Sequence, residues 1–188
     1  MKAATALVVL LVAAAGLAAD GITLSIPDAA VVDQNGRHIR FRSELLDGNL
    51  VAVNFIFTSC TTICSPMGAN FAALQKRLGA GSDVRLVSVS LDPDGDTPAR
   101  LKAWSERFGA QPGWTLVTGS REEITAVLKG FGVYTPDRIS HSPILLVGDG
   151  RRGLWMRANG LLPPRTIAGM LDKMRVPQTS AAAAEARP

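Results

Sequence analysis

Residues 50–57, Leu-Val-Ala-Val-Asn-Phe-Ile-Phe, form a nearly continuous apolar run that stops at Thr58-Ser59-Cys60. A run of this length, rich in β-branched and aromatic residues and without a polar face, reads as a strand buried on both sides. Such a strand needs a sheet with helices packed over it, which points to the α/β class. The next segment supplies one: Met67, Phe71, Leu74 and Leu78 recur at spacings of four, three and four and end at Gly79, one helix face closed by a glycine.

The same logic orders the rest of the chain. Residues 84–91 form a second strand, and Thr97-Pro98 opens a helix with a capping hydroxyl and a proline at its first position, its buried stripe being Leu101, Trp104 and Phe108. Residues 114–117 are a short strand. Ser120 and Glu123 then make a capping box for a helix carrying Ile124, Val127 and Leu128. Residues 144–147 and 153–157 flank Gly148-Asp149-Gly150 as a hairpin, and Ile167, Met170, Leu171 and Met174 mark a last helix. Ahead of all this, residues 22–26, 31–33 and 37–41 bracket the turn Gln34-Asn35-Gly36, where Asn-Gly signals a hairpin at the domain's edge. A hairpin, β-α-β, a further α/β step and then β-β-α predict a thioredoxin-like fold with an N-terminal β-hairpin and an inserted α/β step. Sheets of this kind carry their chemistry at the carboxyl ends of parallel strands. Cys60 and the loop beginning at Asp92 both lie at such ends.

The chain's 188 residues suit one domain, and 47 % hydrophobic residues supply its core. The net charge of +4 is scattered, with Arg151-Arg152 the only conspicuous basic cluster, which argues against nucleic acid as a partner. Lys2 precedes an apolar run from Ala3 that dissolves into small residues near Ala18, the pattern of a secretory signal peptide over residues 1–19. The alternative is an uncleaved anchor, disfavoured because a span wants about 20 apolar residues and Asp20, not a basic residue, follows. No cysteine precedes Cys60, so a lipidated N-terminal cysteine is not expected. The expected organisation is residues 1–19 as signal, 20–176 as the domain and 177–188 as a disordered tail. The mature chain is expected to be soluble, monomeric and extracytoplasmic, in a periplasm or its equivalent, where neighbouring thiols can be oxidised.

Only two cysteines are present, Cys60 and Cys64, one in the strand-to-helix turn and one on the first helical turn. At i and i+4 they can meet, and the helix N-terminus favours a thiolate, which is both a nucleophile and a soft metal ligand. A purely structural disulfide over so small a ring would stabilise the fold by only ~2 kcal/mol. Two sulfurs leave a metal shell incomplete. Of the two histidines, His141 lies just before Pro143 and the 144–147 strand, whereas His38 belongs to the outer hairpin and reads as an exposed strand residue. Two thiolates and an imidazole are a soft set suited to copper, above all Cu(I). Asp92, Asp94 and Asp96 do not have the spacing of a calcium loop; they read as a helix-entry turn in which Asp96 or Thr97 caps the next helix and the rim of the site is supported.

Phe57-Thr58-Ser59-Cys60-Thr61-Thr62-Ile63-Cys64, then Ser90-Leu91-Asp92-Pro93-Asp94-Gly95-Asp96-Thr97-Pro98, then His141-Ser142, together resemble the Sco/SenC family of copper-binding assembly proteins for cytochrome c oxidase. The likeness runs from about residue 22 to 174. It implies one copper, Cu(I) or Cu(II), per chain, Cys60, Cys64 and His141 as ligands, Asp92 and Asp96 as an acidic loop beside them, and a copper donor and a receiving oxidase subunit as partners. One departure is visible: family members usually have proline directly after the second cysteine, whereas here Ser65 intervenes before Pro66, which puts the helix register in question. The proline that thioredoxin-like folds place at this strand start is usually cis, making Ser142-Pro143 a candidate cis bond. The leading reading is therefore a metallochaperone. The alternative is a thiol-disulfide oxidoreductase in which Cys60 attacks and Cys64 resolves. A peroxidase reading lacks the proline and threonine pattern it needs ahead of the cysteine.

Overall fold

The computed structural model describes residues 21–137 and 142–175. The proposed signal, the tail and His141 lie outside them. One sheet of eight strands organises the domain: β1 (Ile22–Thr23), β2 (Ala30–Asp33), β3 (His38–Arg40), β4 (Leu50–Ile56), β5 (Val84–Ser90), β6 (Trp114–Thr118), β7 (Ile144–Asp149) and β8 (Leu154–Asn159). The helices are α1 (Cys64–Leu78), α2 (Pro98–Glu106), α3 (Arg121–Gly130) and α4 (Pro164–Met174), with a one-turn π-helix at Phe41–Leu46. The strand order is β1-β8-β7-β4-β5-β6-β2-β3. β4, β5 and β6 run parallel, and β7 joins β4 antiparallel.

Every residue of β4 is buried, as its sequence requires. Its side chains alternate between two cores. Val51, Val53 and Phe55 face Phe41, Val127 and Phe131, while Leu50, Ala52 and Ile56 face Phe71, Leu74, Leu101, Ile167 and Leu171. Helices α1, α2 and α4 thus cover one face, with α3 and the π-helical turn on the other. Each large core side chain contributes about 1.5–3 kcal/mol of burial, so the double-sided packing of the central strands carries most of the stability.

Local chemistry sets the boundaries. Thr97 caps α2 by accepting from the Arg100 N–H; Asp96, the other candidate, is committed elsewhere. Ser120 caps α3 by accepting from the Glu123 N–H, but Glu123 does not close the box: its carboxylate accepts from the Ala30 N–H and ties α3 to β2. The second hairpin turns two residues later than the sequence suggests. Gly148 and Asp149 remain in β7 because Trp155 lies across the strand, and a Cβ at Gly148 would come within 2.3 Å of its ring. Asp149, 0 % exposed, accepts from the Arg151 backbone N–H and from the guanidinium groups of Arg151 and Arg152. The basic dipeptide therefore belongs to a turn. Residues 22–26 also depart from expectation: only Ile22–Thr23 is strand, and it pairs with β8 at the opposite edge from the β2–β3 hairpin. The described residues contain no cis peptide bond, so Ser142–Pro143 is trans, against the expectation and in line with the lower energy of that form.

Candidate metal and redox centre

β4 delivers the chain to the carboxyl edge of the sheet, where the Cys60 N–H donates to the Phe57 carbonyl at 3.1 Å. Helix α1 begins at Cys64 itself, and its N-cap, Ile63, offers no side-chain acceptor to the first turn. The Cys60 sulfur lies 3.6 Å from the Thr62 hydroxyl oxygen, and the neighbouring backbone and side-chain donors of Thr62 and Cys64 favour its charged form. The two cysteines thus lie together with no disulfide between them. Pro66, displaced by one from the family pattern, falls within the first turn, where an N–H has no intrahelical partner to lose. An i to i−4 bond runs from the Met67 N–H to the Ile63 carbonyl, so α1 is regular through Ser65 and Pro66.

The surroundings divide the two thiols. Burial alone would push Cys60 up, but the hydrogen bonds from Cys64 and Thr62 outweigh it and hold Cys60 below the ordinary thiol range. Burial pushes Cys64 up to about 12, and its hydrogen bond to Cys60 reinforces the shift. Cys60 is 7 % exposed and Cys64 0 %. Cys60 is therefore the more acidic and more accessible sulfur, and Cys64 the protonated partner behind it.

Asp96 supports this turn. It is 1 % exposed; one carboxylate oxygen accepts from the Thr58 N–H at 3.0 Å and its hydroxyl at 2.6 Å, and the other accepts from the Ser90 hydroxyl at 2.6 Å. Asp92 reaches back over its own loop, its carboxylate lying where a Cβ of Gly95 would be, and Asp94 pairs with Arg121. The three aspartates do not converge. Among the described residues no group of three or more His, Cys, Asp or Glu side chains could hold a metal, so the two sulfurs stand without a third ligand there. The chain re-enters at Ser142 and Pro143 beside this edge, since Asn54 of β4 pairs with Leu145 of β7. His38 is exposed on β3, four strands from β4 and roughly 19 Å away at the usual strand spacing. The sequence pattern gives no role in the site to Ser90 or Thr62, and offers Thr58 only as a cue for peroxidase chemistry. For Thr58 and Ser90 the signal in the sequence is a polar residue closing an apolar run, Thr58 after residues 50–57 and Ser90 at the end of β5.

A parallel-centred α/β sheet with a dithiol at the strand-to-helix turn defines a thioredoxin-like domain. The chain belongs to the SCO1/SenC family, whose model matches residues 27–174. The SCO1 protein homolog of Bacillus subtilis is 35 % identical over 143 residues, 70 % of this chain and 73 % of that protein. A solved structure of BsSco, described as a member of the Sco family of cytochrome c oxidase assembly proteins with a disulfide switch, superposes with a TM-score of 0.71 at 28 % identity, covering 82 % of this chain and 95 % of that one. The copper-bound ScoI of Bradyrhizobium japonicum, 24 % identical, covers 80 % of this chain and all of its own with a TM-score of 0.65, a likeness of fold.

Proposed function

We propose that this chain is a copper metallochaperone that holds one copper through Cys60, Cys64 and His141 and passes it to a copper centre of cytochrome c oxidase. The observation that carries the reading is the pair of reduced cysteines together at the N-terminus of α1, with Cys60 the more acidic and more accessible. Soft sulfur donors favour Cu(I), and an imidazole extends the set toward Cu(II). The family's oxidase-assembly role and the copper-bound relative support copper as the cargo. A three-ligand shell leaves a position open, through which an incoming ligand can take the metal by exchange. The signal-like sequence of residues 1–19 supports a site of action outside the cytoplasm, with the chain released by cleavage or held by an uncleaved anchor. No helix among the described residues is long and apolar enough to cross a membrane.

The division between the two thiols favours a second activity of the same pair. Cys60, the accessible sulfur, attacks a target disulfide and forms a mixed disulfide, releasing one target thiolate. Cys64 then attacks Cys60, giving an intramolecular disulfide and the second target thiol. Two electrons and two protons pass from the Cys60–Cys64 dithiol to the target. Copper stoichiometry on the purified chain, reduced and oxidised, tests the first reading. One copper per reduced chain and none per disulfide-bonded chain is expected, because the S–S bond removes the thiolates. Copper retained by the disulfide form contradicts it.

A further inference from the structure

Helix α2 follows directly on the Asp96 loop and presents Arg100, Ala103, Trp104 and Arg107, positions i, i+3, i+4 and i+7 of one face. With Thr58 and Ser59 they line a shallow cleft of about 470 Å³ immediately beside the cysteine turn. Its floor is rigid. Trp104, 1 % exposed, meets Phe108 edge-on with centroids 4.7 Å apart, and α1 presses on this pair so closely that a Cβ at Gly68 would lie within 2.8 Å of both rings. The Thr58 side of the cleft is held by Asp96.

The cleft is also charged. Arg100 and Arg107 are exposed, and neither is paired with a carboxylate among the described residues, whereas Arg37, Arg121, Arg151 and Arg152 each meet an aspartate. Each is instead steadied by an uncharged neighbour: Arg100 donates to the Gly95 carbonyl at 2.6 Å, and the Arg107 guanidinium sits 5.9 Å from the Phe108 ring centroid. A guanidinium carries five N–H donors, so both retain donors for an incoming anion. The two residues are about 10.5 Å apart along the helix.

We propose that this cleft docks an extended acidic segment of the protein that exchanges with Cys60. Carboxylates at alternate positions of an extended chain lie on one side, about 7 Å apart, and the long arginine side chains cover the difference. Docking there brings the partner alongside Ser59 and Cys60. Such a pair of charges chiefly speeds and orients encounter, and it weakens as salt screens it. The purpose of the cleft rests on the exchange reading of Cys60, but docking itself needs no copper.

The test uses the ¹⁵N-labelled full chain, reduced and copper-free, titrated with the peptide acetyl-Ala-Glu-Ala-Glu-Ala-amide and with its glutamine counterpart. The glutamate peptide is expected to shift the Thr58, Ser59 and Ala103 amides and the Trp104 indole N–H, and to lose affinity with added salt; the glutamine peptide is not. Arg100→Glu with Arg107→Glu is expected to weaken binding at least tenfold and to leave copper stoichiometry unchanged. Arg165→Glu with Lys173→Glu on α4, the same charge change elsewhere, is expected to leave peptide affinity unchanged. The proposal is overturned if the cleft resonances do not move, if shifts spread over the basic residues of α1 and α4, or if the α4 pair weakens binding as much as the α2 pair. A wild-type chain that binds peptide but not copper overturns the copper reading alone.

Discussion

The carboxylate of Asp96 accepts both the backbone N–H and the hydroxyl of Thr58, so the end of one parallel strand is fixed by the loop that follows its neighbour. Because the same carboxylate also takes the Ser90 hydroxyl, the turn carrying Cys60 is braced from β5. The acidic loop acts on the site through Thr58, two residues before the first sulfur.

Asp96→Ala leaves three donors without their acceptor in a buried place. Hydrogen bonds to a charged group are worth about 1.5–3 kcal/mol each, less where the chain relaxes. A loss of ~3 kcal/mol in urea unfolding is expected, with weaker copper binding because the Cys60 turn loosens. Asp96→Asn, which keeps an acceptor oxygen, should lose less on both measures. Unchanged copper affinity in Asp96→Ala would remove the bracing role.

The two cysteines should alkylate in order. Cys60 lies below the ordinary thiol range, so its thiolate, and hence its reaction with iodoacetamide, should persist at pH values where an ordinary cysteine has gone quiet. Cys64, raised to about 12, should stay unmodified in the folded chain through pH 10 or so and react once urea unfolds it. Peptide mapping after a pH series reads both; Cys64 labelling first would reverse the assigned roles.

Asp149 gives a pH dependence of stability. Burial alone would raise its carboxyl, but hydrogen bonds from Arg151 and Arg152 outweigh this and hold it below the usual range. A carboxyl depressed in the folded state contributes stability that is fully present above its ordinary value of about 3.9 and is lost as pH falls through the folded value. Asp149→Asn should therefore cost about 2 kcal/mol at pH 7, given its half-exposed arginine partners. The gap to wild type should close as pH falls below about 4. A gap independent of pH would point to shape alone.

Much of this could be read from residue patterns because the relevant signals are local. The unbroken run of residues 50–57 announced a strand buried twice over, and the Met67, Phe71, Leu74 stripe fixed which face of α1 is buried. Thr97-Pro98 located the start of α2 to the residue. What the sequence concealed depends on partners distant along the chain. Ile22–Thr23 crosses to β8, where its partners Trp155 and Leu154 lie 133 and 131 residues away in sequence, because that edge is open to pairing. Gly148 reads as a turn residue until Trp155 is seen to occupy the space of its side chain. At the site, the pairing of Cys60 with Cys64 followed from i, i+4 spacing, whereas the links from Asp96 to Thr58 and Ser90 span two loops.

The ligand set is tested most directly by titrating the reduced full chain, His141→Ala and His38→Ala with Cu(I) and with Cu(II). Two thiolates can still hold Cu(I) linearly, so His141→Ala is expected to retain part of its Cu(I) affinity and to lose Cu(II) binding by tenfold or more, because Cu(II) prefers a nitrogen-containing set. His38→Ala, on the exposed β3 strand, is expected to match wild type in both titrations. If His141→Ala binds Cu(II) as wild type does, or if His38→Ala is the variant that fails, Cys60, Cys64 and His141 are not the ligands.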